Sequence, residues 1–365
     1  LAGQGLPEGD GGFAVLSKDP GFGVSQFMEG ARYQHALETE PLLLELADEI
    51  IEQYAPGEPM PRMCALVVGA AFDAALHDAF GNALGLDAYA ALGPEHVSWD
   101  LSRYLGPAFK GRYPADYLKP RYDETLPVFH LVGGYDPLTP GDVGPDDPRD
   151  EYPADLAGWV KRDGVFCHKV KMRGNDLDWD VERTVDVHHV VREALAGSGR
   201  SEVYLTSDAN EMCRDVEYVI EYLHKVRERS PEAYDAILYV EQPTTRHLFE
   251  RPLDVARAAE LKPILADEAL SGLEAMDEAL RQGYTGVALK TCKGQSNSLL
   301  MLAKATEAGV PAGGLGLCVR SGKFTDLVEA SYQNAVQVLR LTGTPTVFLG
   351  GLKVGDYSDM EDYLR

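Results

Sequence analysis

Polar residues follow a series of short apolar runs in the second half of the chain. Lys169-Val170-Lys171 closes one run and Asp208-Ala209-Asn210 the next, followed by Glu241-Gln242-Pro243, Asp267-Glu268 and Ala288-Leu289-Lys290. If the runs are strands, alternation puts Lys169 and Lys171 on one face. Asp208, Glu241 and Asp267 then end three consecutive strands. Three carboxylates aimed at one point repel one another, so the series calls for a cation. An all-oxygen donor set selects a hard one such as Mg²⁺, which keeps positions open for substrate oxygens. Lys171 and Lys290 flank that point. Singly, each residue has an ordinary reading: an acid after a strand is usually a helix cap, and Lys-x-Lys is usually an exposed strand face. Five matching positions at five successive strand ends are not explained that way.

The elements that must carry these residues alternate. Apolar or β-branched runs recur at 126–132, 165–172, 202–206, 236–240, 263–266, 285–289, 310–315 and 344–349. Stretches of helical length lie between them, at 180–196, 215–229, 274–282, 296–308 and 323–339. Eight strands alternating with helices predict a parallel βα barrel of the TIM-like class, with its chemistry at the C-terminal face. A doubly wound open sheet is the competitor, but normally needs fewer strands. Residues 1–120 read as a small α+β cap folded against the barrel mouth. They hold an extended stretch at 13–17, a Gly21-Phe22-Gly23 turn, a helix over 41–54 and a helix over 63–84 with Phe72, Leu76 and Phe80 on one stripe. After a Pro- and Tyr-rich connector, residues 121–365 form the barrel.

The 58 acidic against 34 basic residues give a formal charge of -24, which argues against a nucleic-acid partner. No run approaches the roughly 18 apolar residues of a membrane span, and the first residues lack a signal-peptide layout. The five cysteines (Cys64, Cys167, Cys213, Cys292, Cys318) are widely spaced with no CxxC pair. Neither a disulfide framework nor a thiolate metal site is expected, and a reducing cytoplasm fits.

The strand-end series, together with Ala70-Ala71-Phe72-Asp73-Ala74-Ala75-Leu76-His77-Asp78 through Gly85-Leu86 and Leu92-Gly93, resembles the enolase superfamily. Within it the resemblance is to the mandelate racemase/muconate lactonizing enzyme family, nearest the muconate lactonizing type. The resemblance implies a (β/α)7β barrel, Asp208, Glu241 and Asp267 as ligands of Mg²⁺ (or another divalent cation such as Mn²⁺), and Lys171 and Lys290 as bases on opposite faces. Lys169 would hold the substrate carboxylate or developing enolate, with Asn210 and Glu268 orienting ligands and lysines. It also implies a homo-oligomer. The chain departs from the racemase type, which has a His after the seventh strand: here that stretch reads Gly313-Gly314-Leu315-Gly316-Leu317-Cys318-Val319-Arg320.

The implied reaction is removal of a proton next to the carboxylate of a small acid, through a stabilised enediolate, by a lyase or isomerase. Isomerisation or epimerisation, cycloisomerisation and elimination all remain open, including an acid-sugar dehydratase with a Lys base. A non-catalytic metal-binding barrel is the reading from another class. Lys293 competes with Lys290 as the second lysine. The Pro- and Asp-rich loop 133–153 reads equally as a lid or an acidic surface loop. His130, Tyr135 and Arg320 are candidates for substrate contact, the first two also for a packed aromatic pair.

Overall fold

A computed structural model describes residues 62–119, 128–147 and 150–310, with Leu37 and the backbone of 348–349 and 352–353. Contacts divide the chain into two units: residues 1–120 with 128–317, and residues 121–127 with 318–365. In the first unit, helices α1 (Arg62–Leu84) and α2 (Ser102–Leu105) precede strand β1 (Phe129–Val132). There follow α3 (Leu156–Asp163), β2 (Cys167–Lys171), α4 (Leu177–Ala194), β3 (Tyr204–Asp208), α5 (Val216–Arg229), α6 (Pro231–Ala236) and β4 (Ile237–Glu241). Next come α7 (Ala256–Ala259), β5 (Ile264–Ala266), α8 (Leu273–Arg281), β6 (Gly286–Val287) and α9 (Gln295–Glu307).

The six strands are parallel and lie in chain order, β1 to β6. A doubly wound sheet reverses its order at a switch point; this one does not. It is also curled. The Phe129 and Tyr239 rings, on β1 and β4, approach to 6.4 Å, whereas on a flat sheet three strand spacings would hold them roughly 14 Å apart. Sequential order and inward curl fit a TIM-like barrel and place both rings on its inner side.

Short polar residues start the helices that cover the outer side. Asp155, Asp176 and Asp215 each accept a first-turn backbone N–H, at 2.9, 3.3 and 3.0 Å. The inner faces of α4 and α5 bury Val181, Val187, Val191, Val219, Leu223 and Val226. Among them the fully buried Tyr222 bonds through its hydroxyl to Thr184 (2.7 Å) and Ser207 (2.8 Å), tying α5 to α4 and to the residue before Asp208. Asp180 binds the β2–α4 turn, accepting from the N–H groups of Arg173 (2.6 Å) and Gly174 (2.9 Å) and from the Tyr218 hydroxyl (2.6 Å).

Several expectations change. The predicted elements at 13–17, 41–54 and 323–339, most of 310–315, and Arg320 lie outside the described residues. Within 344–349, β7 (Phe348–Leu349) pairs antiparallel with β8 (Leu352–Lys353) as a hairpin of the second unit, not as a parallel strand. Helix α3 was not foreseen, because its eight residues follow a loop whose composition masked the helix start. No strand occurs among the described residues of 1–120. The buried row of α1 is Leu66, Ala70, Asp73, His77 and Gly81, with Leu76, in place of the Phe72–Leu76–Phe80 stripe. By length and composition α1 could cross a membrane, contrary to the sequence expectation. Yet its buried side carries Asp73 and His77, both bonded to Ser296 of α9.

The loop at 133–153 is held down where described. Asp136, Asp142, Asp147 and Asp150 accept the backbone N–H of Gly133 (2.6 Å), Thr139 (2.9 Å), Gly144 (2.6 Å) and Tyr152 (2.9 Å). Its acids close turns. Arg183 of α4 donates to the carbonyls of Gly133 (2.5 Å) and Asp136 (2.8 Å).

Candidate active site

Parallel register sets the site. Lys171 lies opposite Asp208, and Asp208 opposite Glu241, so side chains from β2, β3 and β4 reach the same level. Asp267 follows β5, with Lys290 and Lys293 beyond β6. Asp208, Glu241 and Asp267 are buried; Lys169, Lys171 and Lys290 are partly exposed.

Each carboxylate meets an ammonium. Lys169 Nζ lies 2.8 Å from both Asp208 Oδ2 and Glu241 Oε2. Lys171 Nζ donates to Asp208 Oδ2 (2.5 Å) and Asn210 Oδ1 (2.6 Å). Lys290 bridges Glu241 Oε1 (3.2 Å) and Asp267 Oδ2. Lys293, nearly buried, donates to the Asp267 carbonyl (2.5 Å) and Oδ1 (2.9 Å). Asn210 links outward, donating to Glu268 Oε1 (2.9 Å), while its backbone N–H donates to Asp208 Oδ1 (2.9 Å).

The charges respond. Burial raises the Asp208 carboxyl, but Lys169 and Lys171 more than offset it and hold it below its usual range. Burial and then the adjoining Asp267 push Glu241 up, against the pull of Lys169. Asp267 resists burial through its hydrogen bond with Glu241 and the charges of Lys293 and Lys290, and stays down at about 2. Burial disfavours the ammoniums of Lys169 and Lys290, yet carboxylates hold both above the ordinary lysine range: Glu241 and Asp208 for Lys169, Asp267 and Glu241 for Lys290.

The lysines answer the repulsion that the sequence assigned to a metal. No three His, Cys, Asp or Glu side chains among the described residues gather closely enough to hold one; the carboxylates turn toward ammoniums instead. The donor set still fits a hard cation. It is all carboxylate oxygen on neighbouring strand ends, and two ammoniums already bridge the gaps between successive carboxylates, positive charge where a cation would lie.

Of the remaining candidates, Tyr135 is exposed, with the Arg173 guanidinium 5.8 Å from its ring centroid. His130 does not join the cluster. It pairs in register with His168, and its ring packs on Trp159 (5.5 Å) and His168 (5.9 Å). Alternation turns that face away from Lys169. It forms no packed pair with Tyr135.

Gln242 escaped the sequence reading. Fully buried, its side-chain oxygen accepts from the N–H of Asp267 (2.8 Å) and Ala269 (3.2 Å). Its Nε2 donates to Thr244 O (2.9 Å) and Tyr284 (3.2 Å). The clasp fixes Asp267. Gln242 (φ 30°), Asn210 (44°) and Glu211 (71°) all have positive φ, concentrating backbone strain at the ends of β3 and β4. Glu211 forks onto Arg246 and bonds its backbone to Gln242 O (2.9 Å), strapping the two turns together.

Residues 151–321 match a family model described as enolase C-terminal domain-like. That segment, a little under half of the chain, is thus similar to the C-terminal domain of enolases. Three solved structures resemble this chain. A mandelate racemase/muconate lactonizing protein from Paracoccus denitrificans Pd1222 is 20% identical over 76% of this chain and 62% of its own, with a TM-score of 0.48. Muconate cycloisomerase from Pseudomonas fluorescens is 19% identical over 73% and 64%, with a TM-score of 0.45. An enolase from Bradyrhizobium, complexed with magnesium and mandelic acid, is 16% identical over 74% and 60%, with a TM-score of 0.45. The chain thus spans less than two thirds of the length of each. No curated protein sequence matches it.

Proposed function

We propose that the chain removes a proton from the carbon next to the carboxylate of a small organic acid. The observation that carries this reading is the series Asp208–Glu241–Asp267, flanked by Lys169 and Lys171 on one side and Lys290 and Lys293 on the other. A purely structural ion-pair network needs opposite charges, but gives no reason to place lysines on both flanks of one carboxylate row. Asp208, Glu241 and Asp267 would hold Mg²⁺ or Mn²⁺, whose charge stabilises the substrate carboxylate and the negative charge that gathers there as the proton leaves.

The residues divide the remaining work. Lys171, braced by Asn210, serves one face of the substrate carbon, and Lys290 serves the other. Each acts as a base only as the neutral amine, and a positioned base contributes on the order of 10²–10⁴-fold. Lys169, between Asp208 and Glu241, grips the substrate carboxylate. Lys293 points into Asp267 from a buried position, so Lys290 is the second base. Return of the proton from the opposite face gives epimerisation; departure of a β-substituent gives elimination, and attack by an internal nucleophile ring closure.

Incubation in D₂O with acid sugars, dipeptides and N-acylated amino acids, followed by mass spectrometry, tests this. Lys171→Ala should lose exchange with one stereoisomer and Lys290→Ala with the other. Exchange surviving in the double variant overturns the assignment. Metal binding without exchange of any acid would favour the non-catalytic barrel.

A further inference from the structure

A second buried polar cluster lies beside the site, where α1 packs on the turn at 291–293 and the start of α9. Asp73, His77 and Ser296 are 2, 1 and 0% exposed. The Ser296 hydroxyl donates to Asp73 Oδ1 (2.6 Å) and its backbone N–H to Asp73 Oδ2 (2.8 Å). A hydroxyl has one proton, already given to Asp73, so His77 Nε2, 2.9 Å from the same oxygen, must be the donor to it. Burying a carboxylate is costly unless it is fully bonded, and Asp73 is bonded across 223 residues of sequence.

The position of Ser296 gives this cluster its reach. Two residues upstream, Gly294 adopts φ +105°, and a Cβ there would lie 3.6 Å from Asp73 Oδ2. One residue further back is Lys293, whose ammonium holds both the carbonyl and the carboxylate of Asp267. The carboxylate of Asp73 therefore anchors the start of α9 three residues after Lys293.

We infer that Asp73 and Ser296, supported by His77, form a positioning lock that keeps Lys293 on Asp267, so that α1 sets the geometry of the strand-end cluster. The inference rests on the proposed reading only in treating that cluster as the functional site. Capping of α9 alone would account for lost stability when the lock is broken. A lock on Lys293 requires in addition that Lys293 come loose.

The test uses the full chain as wild type, Asp73→Asn, Ser296→Ala and Leu66→Ala, the last a buried α1 residue two turns from Asp73. A brief pulse of an acetylating reagent is followed by peptide mass spectrometry, and Lys293 labelling is normalised to that of the more exposed Lys290. Lys293 should be protected in wild type and in Leu66→Ala, and severalfold more reactive in both lock variants. Unchanged protection in the lock variants, or equal reactivity in Leu66→Ala, overturns the inference. If Asp73→Asn does not fold, Ser296→Ala decides alone, since it keeps the bond from its backbone N–H to Asp73. Mn²⁺ titration gives a second arm: affinity should fall roughly tenfold or more in the lock variants, as for other groups that support metal ligands. Wild-type protein that binds no Mn²⁺ would defeat the metal reading, while labelling still decides the lock.

Discussion

His168 provides a measurable acid sensitivity. Its ring is fully buried in the sheet, and neither nitrogen has a hydrogen-bond partner of good geometry among the described residues. Burial, then the nearby His130, lowers its pKa from 6.5 to about 3. A histidine with a depressed folded pKa is charged in the unfolded chain first. Its neutral form therefore contributes stability that is fully present above about pH 6.5 and is lost progressively as pH falls toward about 3. One proton of difference is about 1.4 kcal/mol per pH unit, or roughly 3 kcal/mol between about pH 6.5 and about pH 4.5. Asp208 and Asp267, with lowered pKa values, contribute to acid lability only nearer their ordinary range of about 4 and below. The perturbation is His168→Leu, which removes the titrating group and the ring nitrogens. Urea midpoints across this range should show wild type losing roughly 3 kcal/mol more than the variant, with the variant at least as stable near neutrality. His77, His130 and His188, also lowered by burial, cancel because both proteins carry them. Parallel stability curves for the two proteins would refute the reasoning.

Gly174→Ala should cost about 1–3 kcal/mol by urea denaturation, because the residue sits at φ +71° with a Cβ position 2.7 Å from Met212. Tyr222→Phe should cost about 1–3 kcal/mol, since it strips the buried Ser207 hydroxyl of its partner; a midpoint within error of wild type would contradict that bond. Asp208→Asn, Glu241→Gln and Asp267→Asn should each weaken Mn²⁺ binding at least about tenfold, a direct ligand counting for no less than a supporting one, with circular dichroism unchanged. Unchanged affinity in all three would remove the metal from the site.

The strand-end placement of the charged residues was legible because it depends on local periodicity. Alternation set Lys169 and Lys171 on one face, and each short apolar run ended where its acid began. The face of His130 was not legible: a one-residue choice of register decides which side of a strand points inward, and register between strands is absent from a single sequence. The pairing of Lys290 with Asp267, and of Asp73 with Ser296, depends on approach in space between segments separated by 23 and 223 residues. Gln242 was hidden by type, since an amide after a strand looks like any loop residue until its four bonds are seen. Of the apolar stripe expected on α1 only Leu76 is buried, because the bonded Asp73 and His77 occupy the inner face beside it.

Four ammoniums, on Lys169, Lys171, Lys290 and Lys293, balance the formal charges of Asp208, Glu241, Asp267 and Glu268, on a chain whose sum is -24. Among the described residues these eight side chains thus form an electrically neutral cluster on an anionic chain. A small acid approaching it feels repulsion from a distance and attraction only on arrival. Added salt shortens the range of the repulsive field to about 10 Å at 0.1 M and leaves close contacts largely intact. Capture of an anion by the metal-free site should therefore accelerate with ionic strength, the reverse of ordinary electrostatic steering.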